Sequence, residues 1–319
     1  MKNKLAKILS SLTMAAVLTC TGVAAQAAET VGAEFADTLS IGSCATNIKN
    51  IYKSNYPEQA AMINDIVDTL SSSDEFAAIF DDEGATAFQI IEDSLRDALE
   101  PAASTYSLSG GVYKAKYTVP AIYQRTNYYC GPASVLQALI GNGVLTDVYS
   151  VSKTELSNSS NARNINSTNK QKEIATAMGT TSSNGTYIGQ ISAYMRQQFP
   201  AKNGYEYKAK AFTRYSYGNA IELVKASLAQ NAVPIIRVPD TSVLGYYNGI
   251  SQSHYVCISE VDTNKNIVTL VDPNNTGGTT NPRYLGTWKV SMTEFENIVN
   301  YDGWIAVYTK AADGYYVYE

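Results

Sequence analysis

Only one histidine, His254, occurs in the 319 residues. A zinc centre needs several imidazole or thiolate ligands at set spacings, so a histidine-rich metal site is excluded. The four cysteines, at positions 20, 44, 130 and 257, form no CxxC pair and no Cys/His cluster. That removes zinc ribbons and dithiol redox motifs. Charged residues make up 17% of the chain and never gather into a basic run; 24 Lys+Arg face 29 Asp+Glu, for a net charge of −5. Such a chain is a poor binder of nucleic acid. Beyond the N-terminus no segment offers 18 uninterrupted apolar residues, so no membrane span is expected. No residue pattern asks for a metal or a cofactor.

Residues 1–27 read as a secretory signal. Lys2, Lys4 and Lys7 form a basic start, Ile8 to Val17 a short apolar core broken by serines, and Ala25-Gln26-Ala27 a small-x-small cleavage site. Cleavage there takes Lys+Arg from 24 to 21, moves the net charge from −5 to −8, and leaves about 290 residues. Lipoprotein anchoring at Cys20 is not expected, because Thr19 suits a lipobox poorly and a better cleavage site follows. The expected protein is secreted or extracytoplasmic and keeps Cys44, Cys130 and Cys257. An odd count in an exported chain leaves at least one thiol outside any intramolecular disulfide. Cys44 and Cys257 are free to pair or to stay reduced.

The remaining chain divides in two. Residues 28–105 carry helical periodicity and no strand signal. Met62, Ile63, Ile66, Val67 and Leu70 share one helical face, as do Phe88, Ile91, Leu95, Ala98 and Leu99. A small helical bundle is the first reading of this region, and a pro-region that blocks a site is the second. Residues 106–319 change character. A strand is predicted at Tyr113 to Tyr117, a helix over 133–140, an exposed loop over the Ser-, Asn- and Thr-rich stretch 151–170, and helices near 168–178, 186–199 and 217–229. Further strands are predicted at Tyr205 to Phe212, Ala232 to Val238, His254 to Val261, Ile267 to Val271, 284–290 and Trp304 to Tyr308. Ser291-Met292-Thr293-Glu294 is a capping box for a helix reaching Val299. Helices followed by an antiparallel sheet make the α+β pattern.

Within this half, Cys130 stands in Tyr129-Cys130-Gly131-Pro132-Ala133-Ser134, where a helix begins. A helix N-terminus favours a thiolate. His254 opens a strand. Asp272, in Val271-Asp272-Pro273, ends the next strand, and a short hairpin brings the two ends together. A carboxylate there accepts the imidazole N–H and fixes its tautomer. Taken alone, Asp272 also reads as a turn residue before proline. Gln124 precedes Cys130 by six positions. Its amide can donate to an oxyanion, although alone it reads sooner as a surface loop residue. Cys257, three residues after His254, is expected to be a buried and inert thiol. Tyr128, Tyr129, Tyr246 and Tyr247 either line a groove or simply reflect a chain with 24 tyrosines.

This ordered set resembles the papain-like cysteine peptidases, and more closely the bacterial double-glycine-leader peptidases, cysteine peptidase family thirty-nine. The matching pieces are Gln124, Tyr129 to Ser134, Val233-Pro234-Ile235-Ile236, His254-Tyr255-Val256, Val271-Asp272-Pro273, and Trp288-x-Val290 leading to Glu294-Phe295. They span roughly residues 113–310, and residues 141–230 match only in outline. The resemblance implies a papain-like fold preceded by a helical region, a peptide or protein substrate, and catalysis by Cys130, His254, Asp272 and Gln124. No transporter segments follow, so the leader-export work of the family's best-known members is not expected. A non-catalytic papain-fold binding module and a transglutaminase-like acyl transferase use the same residues and stay open. Substrate identity and oligomeric state are not legible.

Overall fold

A computed structural model describes residues 40–99, 110–212, 217–274, 283–300 and 303–310. The expected signal, residues 1–27, lies outside them. The chain forms two compact units that divide after Leu99.

The first unit is helical: α1 (Ile41–Asn55), α2 (Ala60–Ser71) and α3 (Asp74–Leu99). Ser40 caps α1 in a reciprocal box with Ser43, so two backbone donors at the helix start are satisfied. Pro57 opens a single 3₁₀ turn between α1 and α2, where its missing N–H costs nothing. The predicted stripe of α2 is buried at Ile63, Ile66, Val67 and Leu70. Along α3, Phe76, Ile79, Ala87, Ile90, Ile91 and Leu95 are buried. Asp74 and Glu75 occupy the first turn of α3, where the helix dipole favours negative charge.

The second unit is built on one antiparallel sheet. Its strands are β1 (Val112–Lys114), β2 (Tyr205–Ala211), β3 (Ile235–Val238), β4 (His254–Asp262), β5 (Ile267–Asp272), β6 (Gly286–Ser291) and β7 (Trp304–Lys310). The order across the sheet is β2-β7-β3-β4-β5-β6, with the short β1 paired to the far end of β4. The helices are α4 (Cys130–Gly141), α5 (Lys153–Leu156), α6 (Ala162–Met178), α7 (Ile188–Gln198), α8 (Tyr217–Ala229) and α9 (Met292–Asn300). This is the expected α+β, papain-like arrangement with a helical region ahead of it.

Helix α4 is the spine. Every residue from Gly131 to Gly141 is buried. Its far end is locked by a closed ring of hydrogen bonds: the Asn142 amide donates to Tyr207 Oη (2.8 Å), Tyr207 Oη–H donates to the Val233 carbonyl (3.0 Å), and Val233 N–H donates to Asn142 Oδ1 (2.7 Å). Satisfied buried polar groups of this kind offset their desolvation and specify a single packing. Two more bonds stitch α4 to β4, from Ser134 Oγ to the Tyr255 carbonyl and from Cys257 Sγ to the Ser134 carbonyl, both 3.1 Å.

Three segments depart from the expectations. Helix α4 begins at Cys130 itself rather than at Ala133, because Gly131 and Pro132 occupy the first turn, which needs no N–H from proline. Strand β1 stops at Lys114. The largest departure is 151–170, expected as a loop and found as α5 and the first half of α6. Asn161 caps α6 by accepting from Arg163 N–H and Asn164 N–H. The buried stripe of α6 is Asn164, Ser167, Gln171, Ile174, Ala175 and Met178. Its first half is polar, so hydrophobic periodicity could not reveal it.

Candidate active site

Cys130 is the first residue of α4 and is half-buried. A side chain at the next position would place its Cβ 2.6 Å from Thr186 Oγ1, so Gly131 is there because the loop before α7 packs against the helix start. Thr186 is itself held by its carbonyl, which accepts from Tyr255 Oη at 2.9 Å.

His254 opens β4 opposite Val238, the last residue of β3, and is buried at 3% exposure. Asp272 ends β5 and is fully buried. The hairpin register pairs Cys257 with Val271, which sets the two strand ends side by side. His254 Nε2 lies 2.8 Å from Asp272 Oδ1. With Nε2 committed to the carboxylate, Nδ1 is the ring nitrogen left to meet the Cys130 thiol, with which the imidazole is hydrogen-bonded.

The electrostatics follow from these neighbours. Burial opposes a charged imidazole, yet the charge and hydrogen bond of Asp272 outweigh it, with the Cys130 contact adding to them, and His254 is pushed up to about 10. Burial also opposes a thiolate at Cys130. The hydrogen bond and positive charge of His254, with backbone hydrogen bonds from Tyr255 and Gly131, reverse that and hold the thiol below its ordinary range. Thiolate and imidazolium stabilise one another.

Asp272 is held from every side. Oδ1 accepts from His254 and from Asn274 N–H (2.8 Å). Oδ2 accepts from Tyr247 Oη–H (2.8 Å) and Tyr246 Oη–H (3.0 Å). The Asn274 side-chain amide donates to Tyr247 Oη (2.9 Å), which leaves the Tyr247 proton directed at the carboxylate. Both tyrosines are stiffened by stacking, Tyr246 on Trp288 (4.5 Å between centroids) and Tyr247 on Tyr284 (4.2 Å). Burial, then the Asp272 charge, raises both phenols, so they remain donors. The turn role and the imidazole-bracing role of Asp272 therefore coexist in one side chain.

Gln124 is buried, and its backbone N–H donates to the Pro273 carbonyl at 2.9 Å, beside Asp272. Its side-chain Nε2 donates to the Thr126 carbonyl (2.9 Å), and its Oε1 has no protein partner. One amide hydrogen of Gln124 thus stays available for another acceptor.

Cys130, His254 and Asp272 are brought into one chain of contacts, and Gln124 joins at the Asp272 end. Sequence reasoning missed Asn274 and the inward role of Tyr246 and Tyr247, which it weighed only as groove-lining or incidental residues. The one local signal was a tyrosine pair directly after Gly245. Cys44 in the first unit and Cys130 and Cys257 in the second are free thiols in this structure. Among the described residues no group of three or more His, Cys, Asp or Glu side chains is arranged to hold a metal ion, and no helix is long and apolar enough to cross a membrane.

A thiol at a helix start, facing an imidazole that a buried carboxylate holds, on a helix-and-antiparallel-sheet fold, is the architecture of a papain-like cysteine peptidase domain. Residues 116–307 match the model of the Peptidase_C39 like family, more than half of the chain, and the chain belongs to that family. No curated protein matches the chain.

Proposed function

We propose that the protein is an exported cysteine peptidase that cleaves an amide bond through a thioester intermediate. The observation that carries this reading is the linked chain Cys130–His254–Asp272, with its 2.8 Å contact from Nε2 to Oδ1. In this mechanism the Cys130 thiolate attacks the substrate carbonyl carbon. The Gln124 amide and the Cys130 backbone N–H receive the oxyanion that forms. Imidazolium His254 then gives its Nδ1 proton to the leaving amine, and the C–N bond breaks to leave a thioester on Cys130. Neutral His254 takes a proton from water, the hydroxide adds to the thioester, and the acid product departs as the thiolate is restored. Asp272 holds the ring and its charge throughout. Residues 1–27 act as the export signal, and the helical unit that ends at Leu99 precedes the peptidase domain.

The test is covalent. A vinyl-sulfone or epoxide cysteine probe labels Cys130 alone in the wild-type chain, and Cys130→Ala loses both the adduct and hydrolysis. Undiminished hydrolysis in Cys130→Ala would end the reading. N-terminal sequencing of the secreted protein tests cleavage after Ala27.

A further inference from the structure

Helix α6 carries a polar side chain in its buried face that the mechanism above does not use. Gln171 is fully buried, yet its amide is spent on the segment that carries Gln124. Its Oε1 accepts from Arg125 N–H at 3.1 Å, and its Nε2 donates to the Tyr123 carbonyl at 2.9 Å. These two backbone groups flank Gln124. The second Nε2 hydrogen goes to Ser167 Oγ at 3.2 Å, one turn back on the same helix, so the amide is held in a single orientation. The Arg125 side chain adds a third link to α6, from Nη2 to the Asn164 carbonyl at 3.1 Å. On its other side the segment is tied by Gln124 N–H to the Pro273 carbonyl. Gln171 acts as a strand would, exchanging a donor and an acceptor with an extended backbone that no strand covers there.

We propose that Gln171 is a positioning residue for the oxyanion site: by bracketing Gln124 on both sides it sets where the Gln124 amide is presented. The inference rests on the proposed role of Gln124. A buried amide in an otherwise packed helix face is costly unless fully satisfied, and here its satisfaction is the geometry of residues 123–125. An oxyanion donor acts only when aimed at the developing charge, so a small displacement removes its effect.

Two rates separate this role from general support of the fold. Acylation by N-benzyloxycarbonylglycine p-nitrophenyl ester passes through a tetrahedral oxyanion. Alkylation of Cys130 by iodoacetamide does not. Gln171→Met keeps the volume and removes both hydrogen bonds to the backbone. The expected result is an acylation rate reduced about tenfold or more, with the pH dependence of Cys130 alkylation unchanged. In a Gln124→Ala background the same substitution should change acylation less than about twofold, since the residue it positions is gone.

Gln171→Glu supplies a second readout. A protonated carboxyl donates to the Tyr123 carbonyl and accepts from Arg125 N–H as the amide does; an ionised one cannot donate. Its acylation rate relative to wild type should therefore rise as pH falls. Acylation and alkylation falling in parallel, full additivity with Gln124→Ala, or a pH-independent ratio for Gln171→Glu would each overturn the proposal. A wild-type chain that alkylates readily yet forms no acyl-enzyme with the ester refutes the peptidase reading itself, and this inference with it.

Discussion

Two thiols lie where α4 meets β4. Cys257, in mid-strand, is fully buried and donates to the Ser134 carbonyl. Burial pushes its thiol far up, out of reach of ionisation near neutral pH. Cys130, at the first residue of α4, is also penalised by burial, yet its thiol is held below the ordinary range. The difference is the partner. At Cys257 the hydrogen bonds of Ala138 and Ser134 lower the thiol but do not offset its burial. Cys130 meets an imidazole that Asp272 keeps charged, and backbone hydrogen bonds from Tyr255 and Gly131 add to the effect. Seating a cysteine beside a helix is not enough to favour its thiolate. The charge facing it decides.

The sharpest break in this comparison is to exchange which thiol is lost. Cys130→Ala should abolish peptide hydrolysis, a fall on the order of a million-fold by the behaviour of other nucleophile–base pairs. Cys257→Ala should hydrolyse at a rate near wild type. Initial rates on one peptide substrate check both.

Removing the charge instead of the thiol should make Cys130 an ordinary cysteine. In His254→Ala its alkylation by iodoacetamide at pH 6 should slow by roughly a hundredfold, because a free thiol is almost wholly protonated there. Mass spectrometry resolves the two sites, and Cys257 should stay unreactive in both proteins. Unchanged Cys130 reactivity would mean that the helix start alone sustains the thiolate.

Loosening the carboxylate behind the imidazole is a milder step. Tyr247→Phe deletes one donor to Asp272 Oδ2 and leaves Tyr246 as the other. It should lower kcat several-fold and destabilise the fold by about 1–3 kcal/mol, the usual cost of an unmet buried polar group, here the Asn274 amide that donates to Tyr247 Oη. Thermal melting and steady-state kinetics check the two parts.

Proton linkage should separate the two thiols by pH. His254 rises from 6.5 unfolded to about 10 folded, so it binds its proton more tightly in the native chain. Its contribution to stability is complete below 6.5, declines between 6.5 and about 10, and is gone above that. In a Cys130→Ala background, where the thiol's opposite shift cannot offset it, the loss of melting temperature on His254→Gln should shrink as pH rises through this window. Cys257→Ala should instead lower the melting temperature at every pH in that window, by the equivalent of about 1–2 kcal/mol of lost packing, the smallest effect here.

Much of the second unit was legible because its signals are local. Strands β2, β4, β5 and β7 appear where alternation or apolar runs predict them, and α8 spans the predicted 217–229. The Ser291 box caps α9 as its spacing requires, with Ser291 N–H to Glu294 Oε2 at 2.8 Å and Glu294 N–H to Ser291 Oγ at 3.1 Å. Helix α6 was legible only in its second half. Asn164, Ser167 and Gln171 bury hydrogen-bonding groups rather than methyl groups, and their use is set by the chain they meet, not by their own period. The same holds for Tyr246 and Tyr247.

The amino-acid sequence alone determined the class of fold, the family, and which few side chains were candidates for the proposed chemistry. A lone histidine, a cysteine at a helix start and a carboxylate at a strand end leave few alternatives when they occur in that order. Only the tertiary structure decided how those groups are held. Asp272 is gripped by phenols 25 and 26 positions away, and Gln124 is bracketed by an amide on a helix of which only the second half was predicted. Such contacts have no period and no fixed spacing, because hydrogen bonds between distant segments are chosen by where the folded backbone leaves a donor or an acceptor unmet.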